Sequence, residues 1–67
     1  MKAGFYTMDN SDLYVYFRPI EETEKEYRGI VALFYKRNYS MAQGPRTLTL
    51  NKERISHWRE YKFGEDL

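Results

Sequence analysis

Few residues in this chain are of a type that does covalent chemistry, and their spacing keeps them apart. His57 is the single histidine, and cysteine is absent. A general base needs an orienting partner and a pKa near the working pH. Ser56 is its chain neighbour, but neighbours on a strand point to opposite faces, so the two do not form a nucleophile–base pair. His57 is read as a surface or half-buried histidine, and the chain as not an enzyme. Glu21, Glu22, Glu24 and Glu26 form an acidic run, and Asp9, Asn10 and Asp12 a second oxygen-rich group. Calcium loops arrange such ligands around a tight glycine turn. Neither group contains that glycine, so both read as solvated loops. The acidic run could also steer a basic protein surface. There is no glycine-rich phosphate loop, dinucleotide fingerprint or metalloprotease motif. No cofactor and no metal is expected.

Recognition chemistry is better represented. Tyr14, Tyr16 and Arg18 recur at every second position, the period that puts strand side chains on one face. Tyr35 and Arg37 enlarge this patch if a neighbouring strand turns them the same way. Tyrosine and arginine are enriched at protein interface hot spots. The same pair of residue types stacks on bases and holds backbone on single-strand-binding surfaces. The remaining alternative is that the tyrosines only cover a small core, with their hydroxyls in water. Arg46, Lys52, Arg54, His57, Arg59 and Lys62 form a later, basic group. Residues 36–62 hold seven basic and two acidic side chains, so phosphate or an acidic partner could be contacted there, with salt-sensitive affinity. Glu53 and Glu60 interrupt the group, and a mixed solvated face is the alternative. Trp58 is read as core or core rim, with an exposed partner anchor as the minority reading.

These residues need a scaffold, and residues 29–37 are its centre. This stretch is the longest apolar run, rich in β-branched and aromatic residues and bounded by Gly29 and by Lys36-Arg37. It reads as a central strand buried on both faces or nearly so. Before it, residues 5–8 are a short strand and residues 9–12 a turn. Residues 13–18 alternate cleanly, with Leu13, Val15 and Phe17 inward, until Pro19 ends the strand. Gly29 marks a bulge in the central strand. Gly44-Pro45 is a second break, and residues 46–50 alternate again. Asn51 caps a helical turn near 52–56, with Leu50 and Ile55 at the spacing of a hydrophobic staple. Two readings are open for the last stretch: a helix continued through Ile55, Trp58 and Tyr61, or a strand over 57–63, which is preferred. Gly64 breaks it.

The expected core is Phe5, Leu13, Val15, Phe17, Ile30, Ala32, Phe34, Leu48, Leu50, Ile55 and Trp58. The face of the central strand is left open, because Val31, Leu33 and Tyr35 are apolar too. Apolar residues on both faces point to full enclosure or to a dimer contact.

Length and composition set the bounds. Sixty-seven residues make one domain, 1–67, and a chain this short buries only about 60% of its unfolded surface. Without cysteine it has no disulfide or thiolate metal site to staple it. Twelve of its 67 residues are aromatic, so dense ring packing or oligomerisation must compensate. Net charge is +1 and argues for no partner class. No apolar h-region opens the chain, and no run approaches the roughly 20 apolar residues of a membrane span. A soluble protein of the cytoplasm is expected, with no membrane partner.

An initial aromatic strand, a hairpin, a glycine-led central strand and a helical turn before the last strand resemble SH3-like small barrels. The ending Ile55-Ser56-His57-Trp58-Arg59-Glu60-Tyr61 resembles that of very short accessory proteins encoded by bacteriophages. The paired-Trp and acidic-aromatic ligand signature of signalling SH3 domains is absent, so proline-rich peptide recognition is not implied. The fold expectation is mostly β: five short antiparallel strands curled into an SH3-like small barrel, with one short helical turn near 52–56. The resemblance implies a small inhibitor or modulator that occupies a surface of a host protein. A nucleic-acid-binding barrel and a homo-oligomeric structural subunit are the alternatives.

Overall fold

Strand alternation builds this molecule. The computed structural model describes residues 1–62. Five strands are found there: β1 (Gly4–Thr7), β2 (Leu13–Glu22), β3 (Glu26–Tyr35), β4 (Met41–Asn51) and β5 (Arg59–Tyr61). They form one sheet in the order β4-β3-β2-β1-β5, and every neighbouring pair is antiparallel. The mostly-β, five-strand expectation therefore holds. The sheet does not close: β4 and β5 are its two edges, and the expected barrel is not established. None of the described residues forms a helix long and apolar enough to cross a membrane.

The strands are longer than expected at two prolines, for the same reason. β2 runs through Pro19 to Glu22, with a register shift between Pro19 and Glu21. Proline has no N–H for the ladder, and a bulge removes the need for one. β4 runs through Gly44-Pro45, with shifts opposite Val31, Leu33 and Phe34. It is an edge strand, where proline is tolerated. Much of the acidic run thus becomes strand. Glu21 faces Arg28 across the ladder and Glu22 faces Tyr27, so successive glutamates point to opposite faces and the repulsion between them is relieved. The hairpin tip is closed by the Thr23 N–H, which donates to the Glu26 carbonyl at 2.8 Å. In return the Glu26 N–H donates to the Thr23 hydroxyl at 3.1 Å.

The expected helical turn is a succession of turns instead. Asn51 does cap it: its side-chain oxygen accepts the Glu53 N–H at 2.9 Å, and its carbonyl accepts the Ile55 N–H at 3.3 Å. The next residues do not extend that i→i−4 pattern. Trp58 N–H donates back to the Ile55 carbonyl at 3.0 Å, which turns the chain out into β5. This segment carries the chain from one sheet edge to the other. The strand reading of the last stretch holds over Arg59–Tyr61. Phe63 and Gly64 lie outside the described residues.

One face carries the core. Tyr6, Val15, Phe17 and Val31 are buried there, with Leu48, Leu50, Trp58, Tyr27 and Leu33 packed around them. Phe17 is the fully buried residue at its centre. Val15, Phe17, Leu48, Leu50 and Trp58 meet their expectation. Phe5, Ile30 and Phe34 do not: residues paired across strands share a face, and Tyr6 pairs with Val15, Val31 with Phe17 and Leu33 with Val15. Tyr6 is accepted inside because its hydroxyl donates to the Lys2 carbonyl at 2.6 Å. Burial pushes that hydroxyl above its ordinary pKa, and Glu60 adds to the shift. Gly29 allows the close packing at Phe17. A Cβ there would strike the Arg18 carbonyl and lie 2.7 Å from the Phe17 ring. The irregularity expected at Gly29 sits across the ladder from it, in β2.

Candidate binding face

The second face of the sheet is aromatic. Phe5, Tyr16 and Ala32 stand in one row across β1, β2 and β3, and Tyr14 and Phe34 in the next. Tyr61 joins the first row from β5, opposite Phe5. The rings touch. Phe5 meets Tyr16 edge-on at 5.2 Å and Phe34 at 5.7 Å. Tyr14 lies parallel to Tyr61 at 4.4 Å and to Tyr39 at 5.8 Å. Offset-stacked and edge-on pairs of this kind contribute roughly 1 kcal/mol each beyond their area. Ala32, beneath them, is buried, whereas the rings themselves are half-buried or exposed.

Tyr39 reaches this face from the loop between β3 and β4. Its φ is 61°, a left-handed conformation rare for a bulky side chain. Hydrogen bonds hold it there. The Tyr39 N–H donates to the Tyr35 carbonyl at 2.8 Å, and the Tyr35 N–H to the Ser40 carbonyl at 2.8 Å. Asn38 accepts from the Ser40 N–H at 3.0 Å and from its hydroxyl at 2.7 Å. Lys36 brings a cation to the same end. Its Nζ is 5.7 Å from the Tyr14 ring centre and donates to the Met8 carbonyl at 3.3 Å.

The structure divides the predicted tyrosine–arginine group. Tyr14, Tyr16 and Arg18 share the aromatic face. Tyr35 pairs with Leu13 and therefore takes the opposite phase. Arg37 stacks on Tyr35 at 4.9 Å, so these two form a separate contact at the end of the sheet. Phe5, Phe34, Tyr39 and Tyr61 fill the face in their place. Tyr61 and Phe34 lie at the alternate positions of their strands, a signal readable once the phase of β3 is known. Tyr39 carries no such signal.

The predicted basic group is dispersed. Lys52 donates to Glu22 at 2.6 Å and lies 4.7 Å from the Tyr27 ring. Arg59 pairs with Asp9 at 2.7 Å. Arg46 pairs with Val31, which puts it on the core face, while Arg59 pairs with Thr7 on the aromatic face. Arg54 is exposed on the turn segment and Lys62 is exposed after β5. No single phosphate-binding surface results from these positions. His57 is exposed. Trp58 packs on the core with its ring 6.5 Å from Tyr6. No group of three metal-ligating side chains occurs among the described residues.

The core face is incompletely covered. Tyr6, Tyr27, Lys52 and Trp58 border a recess of about 460 Å³. Beside it an apolar groove of about 240 Å³ runs between Leu48, Leu33, Val15, Met8 and Trp58, with Arg46 at its rim. No protein-family model, curated protein or solved structure matches this chain.

Proposed function

We propose that this protein is a non-enzymatic binding protein that occupies a surface of a larger protein through the aromatic face of its sheet. It would act there as an inhibitor or modulator. The observation that supports this is the ring layer itself. Phe5, Tyr14, Tyr16, Phe34, Tyr39 and Tyr61 are gathered and ordered by one another, yet they stay half-buried or exposed, Tyr39 by 54%. A domain with so small a core gains about 25 cal/mol for each Å² of such surface that a partner covers. Tyrosine supplies this contact at low entropic cost, and Arg18 adds a cation on the same face. The likeness of residues 55–61 to phage accessory proteins makes a host protein of the cytoplasm the natural partner. The open sheet is read as an SH3-like small barrel left unclosed.

Affinity capture from cell extract tests this reading, with the wild-type protein compared against Tyr16→Ala. A protein retained by the first and lost by the second, at unchanged circular dichroism, supports the aromatic face. Equal retention overturns it, and unfolding of Tyr16→Ala moves Tyr16 into the core and removes the hypothesis.

A second reading, a platform for single-stranded nucleic acid, is favoured by the parallel Tyr14–Tyr61 pair with the Lys36 cation above Tyr14. Bases stack on such rings, and phosphates release counterions from such cations. Light scattering after gel filtration, with and without a mixed oligonucleotide, separates the readings. A shift confined to low salt transfers the face to nucleic acid. A salt-insensitive dimer that ignores the oligonucleotide assigns it to a second copy of the chain.

A further inference from the structure

The open edge of the sheet carries an inference independent of the aromatic face. The Lys52 N–H donates to the Lys25 carbonyl at 2.9 Å, and β4 continues in register with β3 from Asn51↔Glu26 to Arg46↔Val31. In an antiparallel ladder, residues that exchange bonds with the partner alternate with residues whose N–H and C=O point away. The Lys52 bond sets the phase. Leu50, Leu48 and Arg46 turn their backbone groups toward β3, and Thr49 and Thr47 turn theirs outward. β4 is a sheet edge, so the outward groups are open to an added strand. Edges are ordinarily blunted by prolines, lysines or bulges. Here Pro45 and the register shifts lie before Arg46, and the stretch after it is regular.

Side chains on this edge lead to the groove. Arg46, Leu48 and Leu50 border the 240 Å³ apolar space together with Leu33 and Trp58. A cavity of about 150 Å³ already accepts a benzene ring, so the groove has room for a large apolar side chain. Arg46 is the one charged residue among the described residues that line it, and it is exposed.

We propose that an extended segment of a partner protein adds antiparallel to β4 as a sixth strand and fills this groove. Its backbone pairs with Thr47 and Thr49. Its residues opposite Leu50 and Leu48 point into the groove and are large and apolar. Its residue opposite Arg46 is acidic. Read from N to C, the recognised pattern is apolar-x-apolar-x-acidic. Backbone pairing supplies affinity and the alternate side chains supply specificity, as in other cases of strand addition.

The test is fluorescence anisotropy with a labelled synthetic peptide, Thr-Leu-Thr-Phe-Thr-Glu-Thr, titrated with the full chain. Saturable binding is expected. Thr49→Pro removes an outward N–H without touching the bonds to β3, and it should weaken binding by about tenfold or more. Arg46 is exposed, so Arg46→Glu should leave the fold intact. It should weaken binding roughly fivefold, and a peptide with Lys in place of Glu should restore it. That charge swap decides the matter if Thr49→Pro does not fold. Tyr16→Ala should bind the peptide as the wild type does, which separates this site from the aromatic face. Absence of saturable binding, or equal binding by wild type, Thr49→Pro and Arg46→Glu, overturns the proposal. A concentration-dependent dimer abolished by Thr49→Pro also overturns it, and assigns the edge to a second copy of the chain.

Discussion

The rings of Tyr14 and Tyr61 lie 4.4 Å apart and 7° from parallel, although they belong to strands that do not pair with each other. β1 separates β2 from β5, so the stack is a clamp across it. Among the described residues, β5 is only three residues long and pairs with β1 alone. A strand this short is marginal without side-chain support. Among the described residues, the Tyr14 stack and the Arg59–Asp9 pair supply such support. The second is exposed on both sides and contributes little. The tyrosine stack is therefore the stronger of these two supports.

Tyr61→Ala should release β5. The expected loss is roughly 1 kcal/mol beyond the lost ring area, together with faster hydrogen exchange at the β1 amides that face β5. Exchange in β3 should change far less, because β3 is flanked by β2 and β4. Unchanged protection of β1 in the variant would show that backbone pairing alone holds the strand.

Gly29→Ala should be among the most damaging single changes. The added methyl meets the Arg18 carbonyl and the Phe17 ring, and Phe17 has no room to retreat because it is fully buried. Overpacking of this kind costs about 1–3 kcal/mol, visible as a lower urea midpoint at similar slope. Phe17→Leu in the same chain relieves the ring part of the clash and leaves the carbonyl part. The double variant should thus be more stable than the sum of the two single losses predicts. A wild-type midpoint for Gly29→Ala would mean that the Phe17 packing is looser than its burial indicates.

The same packing explains which parts of the fold were legible in the sequence. Residues 13–18 alternate between apolar and amphipathic side chains, so the faces of β2 could be read directly, and with them the shared face of Tyr14, Tyr16 and Arg18. The run from Ile30 to Tyr35 is apolar at every position and carries no phase. Pairing with β2 supplies it, by setting Val31 against Phe17. Phe5 and Tyr6 pose the same ambiguity in β1. Tyr6 goes inward because a carbonyl four residues earlier meets its hydroxyl, a contact that no local pattern announces. Pro19 and Gly44-Pro45 read as strand ends because local chemistry forbids ladder bonds there. Bulges and an edge position remove that prohibition, and both depend on the whole sheet. Tyr39 joins the aromatic face through a left-handed loop residue, a conformation that tyrosine itself disfavours.

Glu22 and Lys52 define a pH window. The hydrogen bond from Lys52 holds the Glu22 carboxyl below its ordinary value, and the same bond raises Lys52 above its own. A depressed carboxylate contributes stability that is present above its unfolded pKa and is lost as pH falls through the folded one. A raised ammonium contributes stability that is present below its unfolded pKa and is lost as pH rises through the folded one. The contribution should therefore be flat across neutral pH and fade at both acid and alkaline ends. Glu22 is exposed and Lys52 only half-buried, so it should be small and weakened by salt. Lys52→Met keeps the stem over Tyr27 and removes the charge. The stability difference between wild type and Lys52→Met should shrink below the folded Glu22 pKa and again above the folded Lys52 pKa. A difference that stays constant down to strong acid would assign the role of Lys52 to its contact with Tyr27.

Tyr39 offers the sharpest separation of stability from binding. Its backbone, at φ 61°, costs a bulky residue roughly 1 kcal/mol or more, and glycine adopts that conformation without strain. Its ring returns about the same amount by stacking on Tyr14. Tyr39→Gly removes both terms, so the urea midpoint should move by less than about 1 kcal/mol in equivalent stability, helped or hindered slightly by the extra freedom of glycine in the unfolded chain. Binding should respond differently. The ring is 54% exposed and extends the aromatic face beyond the strands, so its loss removes contact area from the surface proposed for a partner. Capture of a protein partner should fall several-fold in Tyr39→Gly while the fold persists. A residue that is strained, near neutral for stability and needed for capture would be explained by binding alone. A large fall in stability would instead make the Tyr14–Tyr39 stack a structural requirement, and unchanged capture would place the binding surface away from this end of the sheet.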